Sequence, residues 1–231
     1  MDTLKESELI PDTINEEDKK NRVDLKDKLI ITIDGEDTKD FDDAISVTKN
    51  NNGNFLLSVS IADVTHYVKE DSAIDKEALL RGTSIYLVDR VIPMLPEKLS
   101  NGICSLNPNV ERLALTADME INKEGKTINY SIYPSVIKSK HRLTYKQVND
   151  FYKSNLDLDP ELSKMLKDSQ QLSHIIRNLK SKQGYIDFEI EEPKIVLDKS
   201  GAPIEIKIRE RGESEILIEN FMVRANETIA L

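Results

Sequence analysis

The sequence predicts one α+β domain built on a mixed, mainly antiparallel sheet flanked by helices. Apolar, β-branched runs come in pairs joined by polar turns, which is typical of antiparallel hairpins. Segments with helical periodicity and recognisable ends lie between these pairs. With 231 residues and no internal repeat or Pro/Gly-rich linker, the chain is long enough for one sizeable core.

Each predicted hairpin consists of two strand-like runs around a short turn. The first turn contains Asn52 and Gly53, residue types that tolerate the positive φ that tight turns require. A separate run, Leu29–Ile33, predicts a strand that ends immediately before Asp34. The predicted hairpin pairs are 44–48 with 55–62, 113–121 with 127–136, and 194–197 with 204–208.

The predicted helices are identified by their ends as well as by their periodicity. Gly82 is a C-terminal stop, and Thr144 with Gln147 has the spacing of a capping box. Pro160 suits the first turn of the longest helix, whose apolar residues recur every three or four positions. The last helical pattern still runs where the sequence stops, so we expect a domain that is incomplete at its C-terminus. The predicted helices are 72–81, 144–153, 160–184 and 213–231.

Composition excludes several classes of protein. The single cysteine, Cys104, excludes an internal disulfide and a multi-cysteine zinc site, and three histidines disfavour a His-rich metal site. No run approaches the ~20 apolar residues of a membrane span. Residues 1–28 include 15 charged and no aromatic residues, which predicts a charged leader or linker and not a secretory signal. We therefore expect a cytoplasmic, reducing setting without membrane contact.

The excess of negative charge is concentrated in one short segment. The whole chain carries 32 basic and 42 acidic residues, a net charge of −10, which alone argues against a nucleic-acid-binding domain. The ten residues 34–43 (DGEDTKDFDD) contain six carboxylates and one lysine, a local charge of −5. Carboxylates held this close repel one another unless a cation lies among them.

Three kinds of site are built on clustered carboxylates. A calcium loop of the EF-hand type fails, because its sixth and twelfth positions would be Lys39 and Ile45 instead of Gly and Glu. A glycosidase pair needs only two carboxylates, one of them kept protonated. A two-metal phosphoryl-transfer site, with Mg²⁺ ions ~3.5–4 Å apart, uses several carboxylate ligands and fits better.

A solvated surface loop remains the simplest alternative for such a segment. Two details argue against it: Phe41 stands among the acids, and apolar runs flank the segment on both sides. Such flanks favour a loop that is held against a core.

Five segments resemble the catalytic RNB domain of the ribonuclease II and ribonuclease R exoribonucleases. The first is TIDGEDTKDFDDA, the acidic segment with its flanks, and the resemblance extends from about residue 24 to the end of the chain. The pair Asn107-Pro108 brings it closer to the ribonuclease R branch. The similar segments are 32–44, 59–68, 81–86, 91–96 and 99–108.

The resemblance implies processive 3′-to-5′ hydrolysis of RNA to nucleoside 5′-monophosphates with Mg²⁺, or Mn²⁺ in its place. The four motif aspartates are Asp34, Asp40, Asp42 and Asp43. They are implied as the metal-binding and catalytic residues, and substitution of Asp42 is expected to impair hydrolysis the most.

The resemblance also implies contacts with the 3′ end of single-stranded RNA. Tyr86 and Phe188 match the two sides of a clamp around the terminal base. Tyr145 and Glu219 match positions associated with ribose recognition, where RNA is distinguished from DNA by its 2′-hydroxyl. Arg112 matches a motif arginine that we expect to brace the acidic segment through an ion pair.

The family pattern continues beyond this sequence. The resemblance implies that residues 29–231 correspond to the N-terminal part of the catalytic domain, so we expect them to lack a later catalytic arginine and the family's flanking oligonucleotide-binding domains. We therefore expect residues 1–231 to have little activity alone. Two other functions stay open: a metal-dependent phosphoesterase for small substrates, and a catalytically silent RNA-binding module.

Overall fold

The computed structural model describes residues 2–186, 192–198, 200–209 and 211–230. Its main feature is a seven-stranded sheet in the order β1-β8-β7-β4-β3-β2-β9. The strands are β1 (Val23–Leu25), β2 (Ile31–Asp34), β3 (Asp43–Lys49), β4 (Phe55–Ala62), β7 (Glu111–Ile121), β8 (Thr127–Lys138) and β9 (His141–Thr144). Two short ribbons, β5 (Ile85–Tyr86) with β6 (Val91–Ile92) and β10 (Glu192–Leu197) with β11 (Pro203–Arg209), complete the strands.

The sheet is antiparallel in its middle and parallel at both edges. β2, β3, β4, β7 and β8 pair antiparallel in succession, while β1 pairs with β8 and β9 pairs with β2 in parallel. The α+β class with a mixed, mainly antiparallel sheet is therefore confirmed.

Six helices accompany the strands within the described residues. Thr144 and Gln147 form the predicted capping box of α4, and Gly82 ends α3 in the left-handed conformation. Asp159 caps the long helix α5, in which Pro160 occupies the first turn. The helices are α1 (Asp2–Leu9), α2 (Val64–Tyr67), α3 (Ala73–Arg81), α4 (Tyr145–Tyr152), α5 (Pro160–Lys182) and α6 (Glu213–Ile229), with a π-helical segment at Lys98–Ile103.

Each face of the sheet carries a hydrophobic core. One core joins Leu57 and Ile45 of the sheet to Leu166 and Ile176 of α5 and Phe221 of α6. Fully burying one such side chain contributes ~1.5–3 kcal/mol. The opposite face is covered by a second core that includes Phe41, Ile74, Leu99 and Leu106. Because successive strand residues point to opposite faces, β2 and β3 are fixed from both sides.

The predicted leader, residues 1–28, contacts the domain at several places. Arg22 donates a hydrogen bond to Asp63 over 2.6 Å, and Glu6 accepts one from the backbone N–H of Ile74 at the start of α3. Strand β1 lies in the main sheet. None of the helices within the described residues has the length and apolar character needed to cross a bilayer.

Candidate active site

The four aspartates lie where β2 ends and β3 begins. Asp34 is the last residue of β2, Asp43 is the first of β3, and Asp40 and Asp42 lie on the connecting loop. The antiparallel register of these strands, with Ile31 opposite Ile45, brings the end of one beside the start of the other. The two buried strands therefore hold both ends of the acidic loop on one edge of the core.

The loop is fixed by hydrogen bonds and by one buried ring. Phe41 is 4% exposed, its N–H donates to Ser105 Oγ over 3.0 Å, and its carbonyl accepts from Leu106 N over 2.8 Å. Ser105 Oγ also donates to the carbonyl of Lys39 over 2.8 Å. The second half of the loop is thus anchored to the second core, unlike a solvated surface loop.

The first half of the loop is ordered around Asp34. One carboxylate oxygen of Asp34 accepts from the N–H of Gly35 over 2.6 Å and from Thr38 Oγ1 over 3.0 Å. Its other oxygen has no hydrogen bond within the part of the chain that the structure describes.

The carboxylates influence one another electrostatically. Burial raises the pKa of Asp43 to about 6, and the nearby charges of Asp34 and Asp42 add to the effect. The pKa of Asp42 is raised too: surrounding protein atoms desolvate its carboxylate although the residue is exposed, and Asp40 and Asp34 repel the charge. Among the described residues none of the four aspartates forms an ion pair, so their mutual repulsion is not relieved by a protein cation.

The donor set fits a hard divalent cation in its chemistry and charge. Mg²⁺ and Mn²⁺ prefer carboxylate oxygens, and a cation would relieve the repulsion that raises these pKa values. Within the described residues, however, no three acidic, histidine or cysteine side chains converge on one point as metal ligands would. Binding an ion therefore requires side-chain rotation, and the assignment of the four aspartates as ligands stays a prediction.

Tyr86 lies beside the acidic loop. It belongs to the β5–β6 ribbon, the residue is 67% exposed, and its hydroxyl donates to Asp40 Oδ2 over 3.1 Å. Partial desolvation raises the pKa of this hydroxyl, and the charge of Asp40 acts in the same direction. An accessible aromatic face thus stands next to the carboxylates.

The other predicted RNA-contacting residues lie at separate places. Tyr145 is the first residue of α4, directly after Thr144, which pairs with Asp34 in the β9–β2 register. Glu219 lies on α6 and pairs with Arg211. Phe188 lies outside the described residues.

Arg112 braces the loop in a different way from the expected ion pair. Its guanidinium donates to the carbonyls of Ser105 (2.8 Å), Gly102 (3.2 Å) and Glu111 (3.0 Å). No carboxylate pairs with it within the described part of the chain, so the ion-pair prediction is wrong. The partly buried guanidinium finds its hydrogen-bond acceptors in these backbone carbonyls instead of a carboxylate, and Ser105 Oγ in turn accepts the N–H of Phe41.

Sequence reasoning missed Arg142. Its Nη2 donates to the carbonyl of Glu36 over 2.5 Å and to that of Gly35 over 3.2 Å, and its guanidinium lies 5.3 Å from the ring centroid of Phe41. Only its place two residues before the capping box of α4 could have drawn attention to it. A cleft of about 1030 Å³ runs past Arg142, residues 36–41 of the loop and Asn107.

Comparisons with known proteins find relatives along nearly the whole chain. Ribonuclease R of Mycoplasmopsis pulmonis is 65% identical over 229 residues, which are 99% of this chain and 31% of that protein. Structures of Mycoplasma genitalium RNase R in complex with double-stranded RNA and with ribose-methylated single-stranded RNA are 38% identical. They cover 99% of this chain and 41% and 36% of those chains, with TM-scores of 0.94 and 0.92.

The fold extends to more distant proteins. Yeast Ssd1, a pseudonuclease, is 17% identical over 94% of this chain and 26% of its own, with a TM-score of 0.71, which shows likeness in fold alone. The chain spans about a third of the length of the curated relatives it matches. The RNB domain family matches residues 22–231. This chain therefore belongs to the RNB domain family.

Proposed function

We propose that this chain is part of a metal-dependent 3′-to-5′ exoribonuclease that shortens single-stranded RNA to nucleoside 5′-monophosphates. The observation that carries the proposal is the hydrogen bond from Tyr86 to Asp40. It places an exposed aromatic ring next to carboxylates that have no cationic partner among the described residues. A base could stack on the ring while the adjoining phosphodiester faces the acidic loop.

The four aspartates would hold Mg²⁺, or Mn²⁺ in its place. Bound there, the ions would activate water and offset charge on the phosphate. Asp34 and Asp43 are carried by buried strands and would fix the position of the site, while the exposed Asp42 can rotate towards it. Desolvation around Asp42 and Asp43 strengthens their attraction for cations.

RNA recognition in this proposal combines stacking with ribose contacts. Stacking on Tyr86 accepts any base and contributes ~1–3 kcal/mol per base. Phe188 would form the other side of the base clamp. Tyr145 and Glu219 would contact the 2′-hydroxyl, the group that distinguishes RNA from DNA.

The relatives support the choice of RNA as substrate. The Mycoplasma genitalium RNase R structures are complexes with single-stranded and double-stranded RNA, and they resemble this chain along nearly its whole length. The activity of a whole protein containing this chain is a proposal, since this chain spans only part of those relatives.

The proposal can be tested in a chimera. In it, residues 22–231 of this chain replace the corresponding segment of ribonuclease R from Mycoplasmopsis pulmonis. With Mg²⁺ and a 5′-labelled single-stranded RNA, we expect shortening from the 3′ end and release of nucleoside 5′-monophosphates. Asp42→Asn should abolish hydrolysis while RNA binding persists. Asp37→Asn, which removes an exposed acid from the same loop, should leave the rate unchanged.

A catalytically silent RNA-binding module is the second candidate function. It is supported by the likeness in fold to yeast Ssd1, a protein described as a pseudonuclease. A folded chimera that binds RNA and leaves it intact would support this candidate. Hydrolysis of p-nitrophenyl phosphate without RNA shortening would instead indicate a small-substrate phosphoesterase.

A further inference from the structure

Arg142 is a cation whose side chain bonds to the backbone of the acidic loop. It belongs to the edge strand β9, where it pairs with Thr32 of β2, and Thr144 pairs with Asp34 in the same register. From this strand its side chain reaches forward to the carbonyls of Gly35 and Glu36, 3.2 and 2.5 Å away. Arg142 therefore contacts the loop directly after Asp34.

The same guanidinium also reaches the far end of the loop. It lies 5.3 Å from the ring centroid of Phe41, the buried residue between Asp40 and Asp42. An arginine over an aromatic face is attracted to the ring as well as packed against it. One side chain thus contacts the loop at residues 35–36 and again at residue 41, on both sides of the exposed Asp37.

Arg142 makes these contacts without pairing with a carboxylate among the described residues. The segment 34–43 holds six acids, yet within the described residues Arg142 donates only to backbone carbonyls and forms no ion pair. Charge-assisted bonds of this kind are stronger than neutral ones and fix geometry well. Its Nε is buried and has no partner among the described residues, so every hydrogen bond that the guanidinium makes within them goes to the loop.

We propose that Arg142 is a positioning residue, which holds the two ends of the 35–41 loop together and leaves the aspartate oxygens free for divalent cations. The inference rests on the proposed function, in which these aspartates bind metal. It assigns Arg142 no contact with RNA or with the reacting phosphate.

The direction in which Mn²⁺ affinity changes when Arg142 is replaced distinguishes this role from a purely electrostatic one. Removing a positive charge near a cation site strengthens cation binding by Coulomb's law. Removing a brace that orders the ligands weakens it. Arg142→Gln is therefore expected to lower Mn²⁺ affinity at least tenfold, against the direction that charge alone predicts.

Lys39 supplies the matched control. It is the one basic residue within the acidic segment 34–43, it is exposed, and its side chain makes no hydrogen bond or ion pair within the described residues. Lys39→Gln removes the same charge without removing a brace. We expect its Mn²⁺ affinity to equal that of the wild-type chain or to be modestly higher.

The experiment measures free Mn²⁺ by electron paramagnetic resonance during titration of the full chain and its variants. Weaker binding in Arg142→Gln with no weakening in Lys39→Gln supports the proposal. Affinity in Arg142→Gln that equals or exceeds wild type overturns it while leaving the metal site intact. If the wild-type chain binds no Mn²⁺ at millimolar concentration, the metal site of the proposed function fails, and this inference fails with it.

A second variant keeps the test decisive if Arg142→Gln does not fold. Arg142→Lys retains the charge but loses the planar fork that spans two carbonyls and the ring. Circular dichroism establishes that the variant is folded before titration. We expect it to bind Mn²⁺ several-fold more weakly than wild type, and wild-type affinity in this variant would overturn the proposal.

Discussion

Replacing Asp43 with asparagine is expected to stabilise the folded chain at neutral pH. Burial and the charges of Asp34 and Asp42 raise the pKa of Asp43 from 3.8 to about 6. The folded state therefore binds this proton more tightly than the unfolded state does. Stability is highest when Asp43 is protonated and is lost as pH rises from about 4 through 6.

The size of the effect follows from the pKa. A rise from 3.8 to about 6 corresponds to about 3 kcal/mol, at ~1.4 kcal/mol per pKa unit. Because Asp43 is only partly buried, screening by solvent reduces this to about 1–2 kcal/mol. The Asp43→Asn variant keeps the shape of the side chain and removes the charge.

Urea unfolding followed by circular dichroism, in EDTA between pH 4.5 and 8, measures the difference. The advantage of Asp43→Asn should be smallest at pH 4.5 and reach a plateau above pH 7. Asp37→Asn is the control, because this exposed acid lies on the same loop and should change stability by less than about 0.5 kcal/mol at every pH. An advantage for Asp43→Asn that does not vary with pH, or a variant less stable than wild type at pH 7.5, would refute the reasoning.

Three further predictions concern the same loop and its supports. Millimolar Mg²⁺ or Mn²⁺ should raise the melting temperature of the wild-type chain in scanning fluorimetry, because cations relieve carboxylate repulsion in the folded state. The same ions should raise the melting temperature of Asp42→Asn by less. Tyr86→Phe keeps the ring but not the donor to Asp40, so its RNA affinity, measured by fluorescence anisotropy, should persist. Tyr86→Ala should lower the RNA affinity about tenfold, because stacking contributes ~1–3 kcal/mol per base. Ser105→Ala leaves the buried N–H of Phe41 without an acceptor. Urea unfolding should therefore give a free energy of unfolding lower by about 1–3 kcal/mol, and an unchanged value would contradict this.

The hairpins and helix ends could be predicted because their signals are local. Asn52 and Gly53 mark a turn by their own conformational preferences, and Thr144 and Gln147 form a capping box within a single turn. The parallel edge strands carry no such signal. β1 has three residues and β9 has four, and each pairs with a strand that lies about a hundred residues away along the chain.

Composition also misrepresents the start of the chain. The charged residues of 1–28 suggest a segment with little to bury, yet Arg22 pairs with Asp63 and Lys19 pairs with Glu111. Whether a charge is solvated or paired depends on the partner that folding brings to it, and composition does not contain that information.

The four aspartates could be predicted as a group because they lie within ten residues, whereas their supports could not. Arg142 meets Glu36 across 106 residues, and Ser105 meets Phe41 across 64. The sequence also suggested that Arg112 pairs with an acid, while folding buries it among backbone carbonyls. Local spacing identifies the acids, and tertiary packing decides what holds them.

The central claim is that the loop between β2 and β3 binds divalent cations. The most direct measurement is the anomalous diffraction of Mn²⁺ in crystals of the chain grown with this ion. We expect two Mn²⁺ peaks ~3.5–4 Å apart, bound by carboxylate oxygens of Asp34, Asp40, Asp42 and Asp43. A well-ordered loop with no Mn²⁺ peak beside these side chains would contradict the account.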